Sequence, residues 1–176
     1  MSKLSIAVST KDHIQGHTDA SITLVEYGDY ECPSCGQAYP IVKRVQKHFA
    51  KRLAFVFRNF PLSQMHPHAE AAAETAEFAA SHNKFWEMHD LLYENQDRLD
   101  EEHLSALTEE LGLDPAELQE SLKSKAFQAR VKADFSGGVR SGVNGTPTFF
   151  INGQRHDGSY EYDSLVDAIE QASASE

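Results

Sequence analysis

The chain has only two cysteines in 176 residues, Cys32 and Cys35. So few exclude the disulfide framework with which small secreted domains replace a core. Their separation of three positions also excludes a useful staple, because so short a loop constrains the unfolded chain little. Long apolar runs are missing as well. No stretch approaches the roughly 20 residues a helix needs to cross a bilayer, and residues 1–10 lack the apolar core of a secretory leader. These absences point to a soluble, cytosolic protein, with the periplasm or export as the alternative if a leader has been removed. Positive charge is scarce: 16 Lys and Arg stand against 27 Asp and Glu, a formal net charge of -11, which repels a nucleic-acid backbone. Internal repeats and low-complexity tracts are absent too.

With 40% hydrophobic residues, a chain of this length builds one sizeable core and is short for two domains. Residues 22–27 (Ile-Thr-Leu-Val-Glu-Tyr) read as a central buried strand, running directly into Gly28-Asp29-Tyr30-Glu31-Cys32-Pro33-Ser34-Cys35. Tyr39, Val42, Val45 and Phe49 then recur at helical spacing. Pro33 suits a first helical turn, and Pro40 predicts a kink. Residues 53–60 return to strand character and complete a βαβ unit with both cysteines at its first strand-to-helix junction.

From about Met65 to Gly142 the composition turns to helix formers, with breaks expected at residues 81–83, near Asp100, and at Asp114, which caps a helix opened by Pro115. About four helices are predicted. The one after Asp114 should run to Ser136-Gly137-Gly138 or to Gly142. Strand character returns at residues 146–151, Asn152-Gly153 makes a hairpin turn, and a last helix starts from an Asp163 cap. The expected fold is α/β, βαβ followed later by ββα. Residues 1–62 and 143–176 form one discontinuous domain, and residues 63–142 an inserted helical subdomain too long to be a structureless loop.

Cys32-Pro33-Ser34-Cys35 carries the chemistry. A cysteine at a helix start faces unpaired amides and the positive end of the helix dipole, which favour its thiolate. Cys32 is therefore the expected nucleophile, and Cys35, one helical turn along the same face, the resolving thiol. Two other readings stand beside this one: inert buried cysteines, and a Cys2His2 zinc site completed by His13 and His17. His66-Pro67-His68 reads as solvated histidines near a helix start, and Phe85 and Trp86 as core aromatics. Glu26, inside an otherwise apolar strand, is either a buried acid with a raised pKa, suited to exchange protons with Cys35, or a strand-end residue with its head in water.

Taken together, residues 25–35, 55–62 and 145–153 resemble the DsbA-like branch of the thioredoxin superfamily, over most of the chain. The resemblance implies a thioredoxin-like fold with a helical insertion and protein-disulfide oxidoreductase activity without a cofactor or metal. It implies a cis peptide at Thr146-Pro147 facing the cysteines, with Pro33, Ser34, Thr146 and Pro147 contacting substrate. Cis bonds occur essentially only before proline, which supports that assignment independently. The expected partners are protein or peptide thiols and disulfides and a redox partner or glutathione, with no nucleic acid, no membrane and a monomeric chain. Ser34 departs from the family's strongest oxidants, which carry His there, so a less extreme thiolate and a less oxidising couple are expected. A glutathione-dependent transferase or isomerase on the same fold and a redox-inactive metal- or peptide-binding module are the competing functions.

Overall fold

The computed structural model describes residues 2–175. Its five strands, numbered in chain order, form one sheet in the order β1-β3-β2-β4-β5, with β2 at the centre. Strands β2 (Ile22–Gly28) and β3 (Leu53–Asn59) are parallel and almost wholly buried, as a parallel pair covered on both faces must be. They are joined by α1 (Pro33–Phe49), which runs through Pro40 without interruption. Beyond β2, β4 (Thr148–Ile151) pairs antiparallel and turns into β5 (Gln154–Arg155). The turn uses Asn152 at φ 47 and Gly153 at φ 84, the left-handed pair a type I′ hairpin requires.

Two features depart from expectation on the sheet's far edge and in the insertion. β1 (His13–Gly16) pairs antiparallel with β3, a strand that the sequence reading did not include. This edge strand is four residues long and no residue in it is fully buried, so it carries no apolar alternation. Between β3 and β4 lie five helices rather than about four: α2 (Ala69–Ala80), α3 (Phe85–Glu94), α4 (Glu101–Glu110), α5 (Pro115–Ser124) and α6 (Gln128–Arg140). The extra break falls at Lys125, which adopts a left-handed φ of 58 with neither Gly nor Pro to announce it.

The caps at Asp100 and Asp114 form as the sequence indicates, accepting from the amides of His103 (3.1 Å) and Ala116 (2.9 Å). α6 does not stop at Gly137-Gly138 but passes through them to end just before Gly142. In the last helix, α7 (Tyr162–Ala174), the cap position belongs to Glu161; Asp163 sits in the first turn, where its charge still meets the positive helix end.

Strand alternation sorts the core into two faces. Ile22, Leu24, Phe55, Phe57 and Phe149 join the cluster with α1 and α7, whereas Val25, Tyr27, Val56 and Phe150 pack with Phe60 and Phe135 on the other side. A buried polar tie fixes the insertion to the sheet edge: Asn59 Nδ2 donates to both Glu77 and Asp134 at 2.9 Å, and His13 Nε2 meets Glu77 at 2.9 Å.

The glycines of α6 are packing positions. A Cβ on Gly138 would lie 2.7 Å from Phe60 Cδ2 and 3.0 Å from Tyr27 Cδ1, so the helix approaches the sheet closely only without one. Gly138→Ala is expected to destabilise the protein by about 1–3 kcal/mol despite the better helix propensity of Ala. Urea unfolding measures this, and an unchanged or raised midpoint would contradict the close-packing account.

Candidate active site

Alternation along β2 places Glu26 on the α1 face, in register with Phe57 on one neighbouring strand and Phe149 on the other. Its carboxyl is 3% exposed and Oε2 has no hydrogen-bond partner. Burial first, and the charge of the Cys32 thiolate second, push its pKa up to about 8. The alternative of a strand-end carboxylate in water does not describe this structure. Room for the carboxyl depends on Gly28, where a Cβ would stand 2.8 Å from Glu26 Oε2 and 2.5 Å from Phe57 Cε2.

Beyond β2 the chain is held by Asp29, which the sequence reading passed over. Its carbonyl accepts from the Cys32 amide (3.1 Å). Its fully buried carboxylate accepts from the amides of Glu31 (2.8 Å) and Leu62 (2.9 Å) and pairs with His66 Nδ1 at 2.8 Å. His66 is thus engaged with the active-site loop rather than solvated, because a buried carboxylate needs such partners. The loop delivers Cys32 to the N-cap of α1, with Pro33 in the first turn.

Both cysteines are reduced, and their environments differ. Cys32 retains 7% exposure and Cys35 none. Cys32 Sγ lies 3.6 Å from the carbonyl oxygen of Thr146, whose peptide bond to Pro147 is cis. The Cys35 thiol foremost, with the Thr146 side chain and the amides of Cys35 and Ser34, outweighs burial and lowers the Cys32 pKa to about 5. Thr146 Oγ1 is buried with no hydrogen-bond partner. Cys35 moves the opposite way, well above an ordinary thiol, through burial, its donation to Cys32, and the charges of Glu26 and Cys32.

The structure therefore brings Cys32, Cys35, Glu26, Thr146 and Pro147 together, with Pro33 exposed and Ser34 half-buried beside the nucleophile. It does not bring His13 into this group, since that ring pairs with Glu77 and stacks on Phe85 at 3.7 Å. Phe85 is core, as read from the sequence. Besides Asp29, sequence reasoning missed Tyr93, whose hydroxyl is buried without a partner and whose ring packs on Tyr30 at 4.9 Å. It also missed Gln96, which bonds the active-site loop from the turn after α3. No local pattern marks any of the three.

The family model described as Thioredoxin matches residues 8–171. The chain is 44% identical over 164 residues to the Na(+)/H(+) antiporter NhaA 1 of Salinispora arenicola, a match covering 93% of this chain and 25% of that protein. It spans about a quarter of the length of the curated relatives it matches. Among solved structures it is similar to oxidised BdbD from Bacillus subtilis, with a TM-score of 0.87, 26% identity, and coverage of 99% of this chain and 100% of that one. It is also similar to a thioredoxin-like oxidoreductase from Silicibacter pomeroyi, with a TM-score of 0.82, 25% identity and 93% of each chain covered.

The raised pKa of Glu26 has a measurable consequence for stability. A carboxyl that titrates near 8 when folded and near 4.5 when unfolded disfavours the native state increasingly between those values. Glu26→Gln should therefore stabilise the protein by on the order of 3 kcal/mol at neutral pH, from about 1.4 kcal/mol per pKa unit, and by nothing at pH 4. Denaturant unfolding at the two pH values checks this; an equal effect at both would mean that Glu26 is not the titrating group.

Proposed function

The chain belongs to the thioredoxin family, and from that premise we propose that it is of the DsbA-like kind and exchanges disulfides with protein or peptide substrates through Cys32 and Cys35. The observation that carries this reading is the contrast between the two sulfurs. One sits at the start of a helix where amides and a thiol favour its anion, and the other lies beneath it, enclosed and protonated.

In the reducing direction the Cys32 thiolate attacks a substrate disulfide, forming a mixed disulfide and expelling one substrate thiolate. With the thiolate consumed, the charge that helped hold Glu26 neutral is gone. The carboxyl ionises, takes up the Cys35 proton as a carboxylate, and the Cys35 thiolate attacks the Cys32 sulfur. The Cys32–Cys35 disulfide forms and the second substrate thiolate leaves. Oxidation of a substrate dithiol is the same sequence reversed. Stabilising the thiolate favours the dithiol form of the protein and so makes the couple more oxidising, with Ser34 contributing its amide and no imidazolium, which would do more.

Pro33, Ser34 and the Thr146-Pro147 edge surround the nucleophile and are assigned to substrate contact, with residues 1–62 and 143–176 as the domain bearing the chemistry. A redox partner or glutathione recycles a monomeric chain. A glutathione-dependent transferase is disfavoured because the resolving cysteine is present. The curated relatives are named as antiporters, yet no helix among the described residues is long and apolar enough to cross a membrane. We therefore assign thiol chemistry, and not ion transport, to the quarter of those proteins that this chain matches.

Cys32→Ser should abolish reduction of insulin disulfides, whereas Cys35→Ser should accumulate mixed disulfides with substrate, visible on non-reducing gels. Equal trapping by both variants would overturn the assignment of roles. Thr146→Val removes the buried, unpaired hydroxyl beside the sulfur, whose hydrogen bond to a thiolate would be worth about 1.5–3 kcal/mol. It should raise the Cys32 pKa by about 1–2 units, read from ultraviolet thiolate absorbance against pH; an unchanged titration would remove Thr146 from the site.

A further inference from the structure

One side chain of the helical insertion reaches past the reacting groups to the backbone that carries them. Gln96 lies in the turn that follows α3. Its Nε2 donates to the carbonyl of Tyr30 at 2.9 Å and to that of Cys32 at 2.7 Å. The shorter bond ends on the nucleophile's own residue, across 64 positions of sequence. A space is kept for the carboxamide at Gly36, where a Cβ would collide with Gln96 Oε1 and stand 2.8 Å from Cδ. Glu31, between the two bonded carbonyls, is tied to the insertion as well, its Oε1 accepting from the His68 amide at 2.8 Å. Residues 30, 31 and 32 are thus each gripped from outside the strand and helix they connect.

We propose that Gln96, seated on Gly36, is a positioning residue that sets the ionisation of Cys32, so that the helical insertion tunes the nucleophile through its backbone. The proposal rests on the exchange function argued above. The Cys32 carbonyl also accepts the first bond of α1, from the Gly36 amide at 3.1 Å. A carbonyl held from both sides fixes the plane of the peptide unit that leads into the first helical turn. That turn aims the otherwise unpartnered amides of Ser34 and Cys35 at the Cys32 sulfur. In addition, the carboxamide hydrogens occupy the negative ends of two carbonyl dipoles close to a sulfur that carries negative charge, which lowers the cost of that charge. Gln96 touches neither sulfur in this arrangement; it acts through the loop.

The test is a double-mutant cycle on the full chain, read as the pH dependence of Cys32 alkylation by iodoacetamide and as kcat and KM for insulin reduction. Gln96→Ala removes the donor. Gly36→Ala leaves Gln96 in place but fills its seat. Each should raise the Cys32 pKa, slowing alkylation roughly three- to tenfold at pH values below the wild-type pKa, the size expected for the loss of ordinary hydrogen bonds. The loss should fall on kcat rather than KM. In the Gln96→Ala background, Gly36→Ala should add nothing, because the methyl group enters vacated space. Gln96→Glu, which keeps the shape and loses the donor, should match or exceed Gln96→Ala.

An unchanged thiolate titration in Gln96→Ala, additive effects of the two substitutions, or a wild-type titration in Gln96→Glu would each overturn the proposal. If Gln96→Ala fails to fold, Gly36→Ala alone decides: a raised pKa supports the proposal and an unchanged one overturns it. Alkylation needs no turnover. A wild-type protein that does not reduce insulin would therefore count against the exchange function, separately from any result on Gln96.

Discussion

The site depends on keeping one negative charge at Cys32 Sγ while the carboxyl beneath it stays neutral. Neither group achieves this alone. The thiolate is favoured by donors gathered at the start of α1, and Glu26 is disfavoured as an anion by its apolar surroundings and by that same thiolate. The two titrations are therefore coupled. When a substrate sulfur consumes the thiolate, the charge that raised Glu26 disappears, and so do the charge and the hydrogen bond that raised Cys35. Formation of the mixed disulfide thus lowers the cost of removing the Cys35 proton at the step that requires it.

This arrangement explains why the sheet is built as it is around β2. A carboxyl stays neutral at ordinary pH only in a dry, apolar layer. Phe57 and Phe149 flank Glu26 on the adjoining strands, and the absent side chain of Gly28 leaves the space it fills. An edge strand, or a sheet with one face in water, would hydrate the acid and return it to its ordinary range. The parallel β2–β3 pair and the covering helix α1 are in this sense requirements of the chemistry as well as of the fold.

What was legible in the sequence was what depends on neighbours in the chain. Asn152-Gly153 announces its hairpin, Asp100 and Asp114 announce their helices, and Pro33 with Cys32 and Cys35 announces a helix start bearing two sulfurs. Glu26 was legible as an odd polar residue in an apolar run, though only the register shows what surrounds it. What was hidden depends on packing between distant segments. β1 forms because β3 offers it an edge, and its own residues carry little strand signal. Lys125 takes a left-handed conformation that composition does not reveal. Gly137 and Gly138 look like a helix stop until Tyr27 and Phe60 are seen against them. Asp29 and Gln96 are ordinary polar residues until their partners, up to 66 positions away, are known.

The same long-range closure joins reactivity to stability. Thr146 lies 114 positions from Cys32, so the set of donors that stabilises the thiolate exists only in the folded chain. Ionisation of Cys32 consequently favours the native dithiol protein, an effect complete above the ordinary thiol value of 9.0 and lost as pH falls through about 5. Glu26 contributes with the opposite sign: its cost is absent below 4.5 and complete by about 8. Closing the Cys32–Cys35 disulfide discards the thiolate's contribution and leaves the buried acid's intrinsic burial cost in place. At neutral pH the fold therefore holds the dithiol form more firmly than an unstructured pair of cysteines would, and by thermodynamic linkage a disulfide in this site is the readier to be passed on.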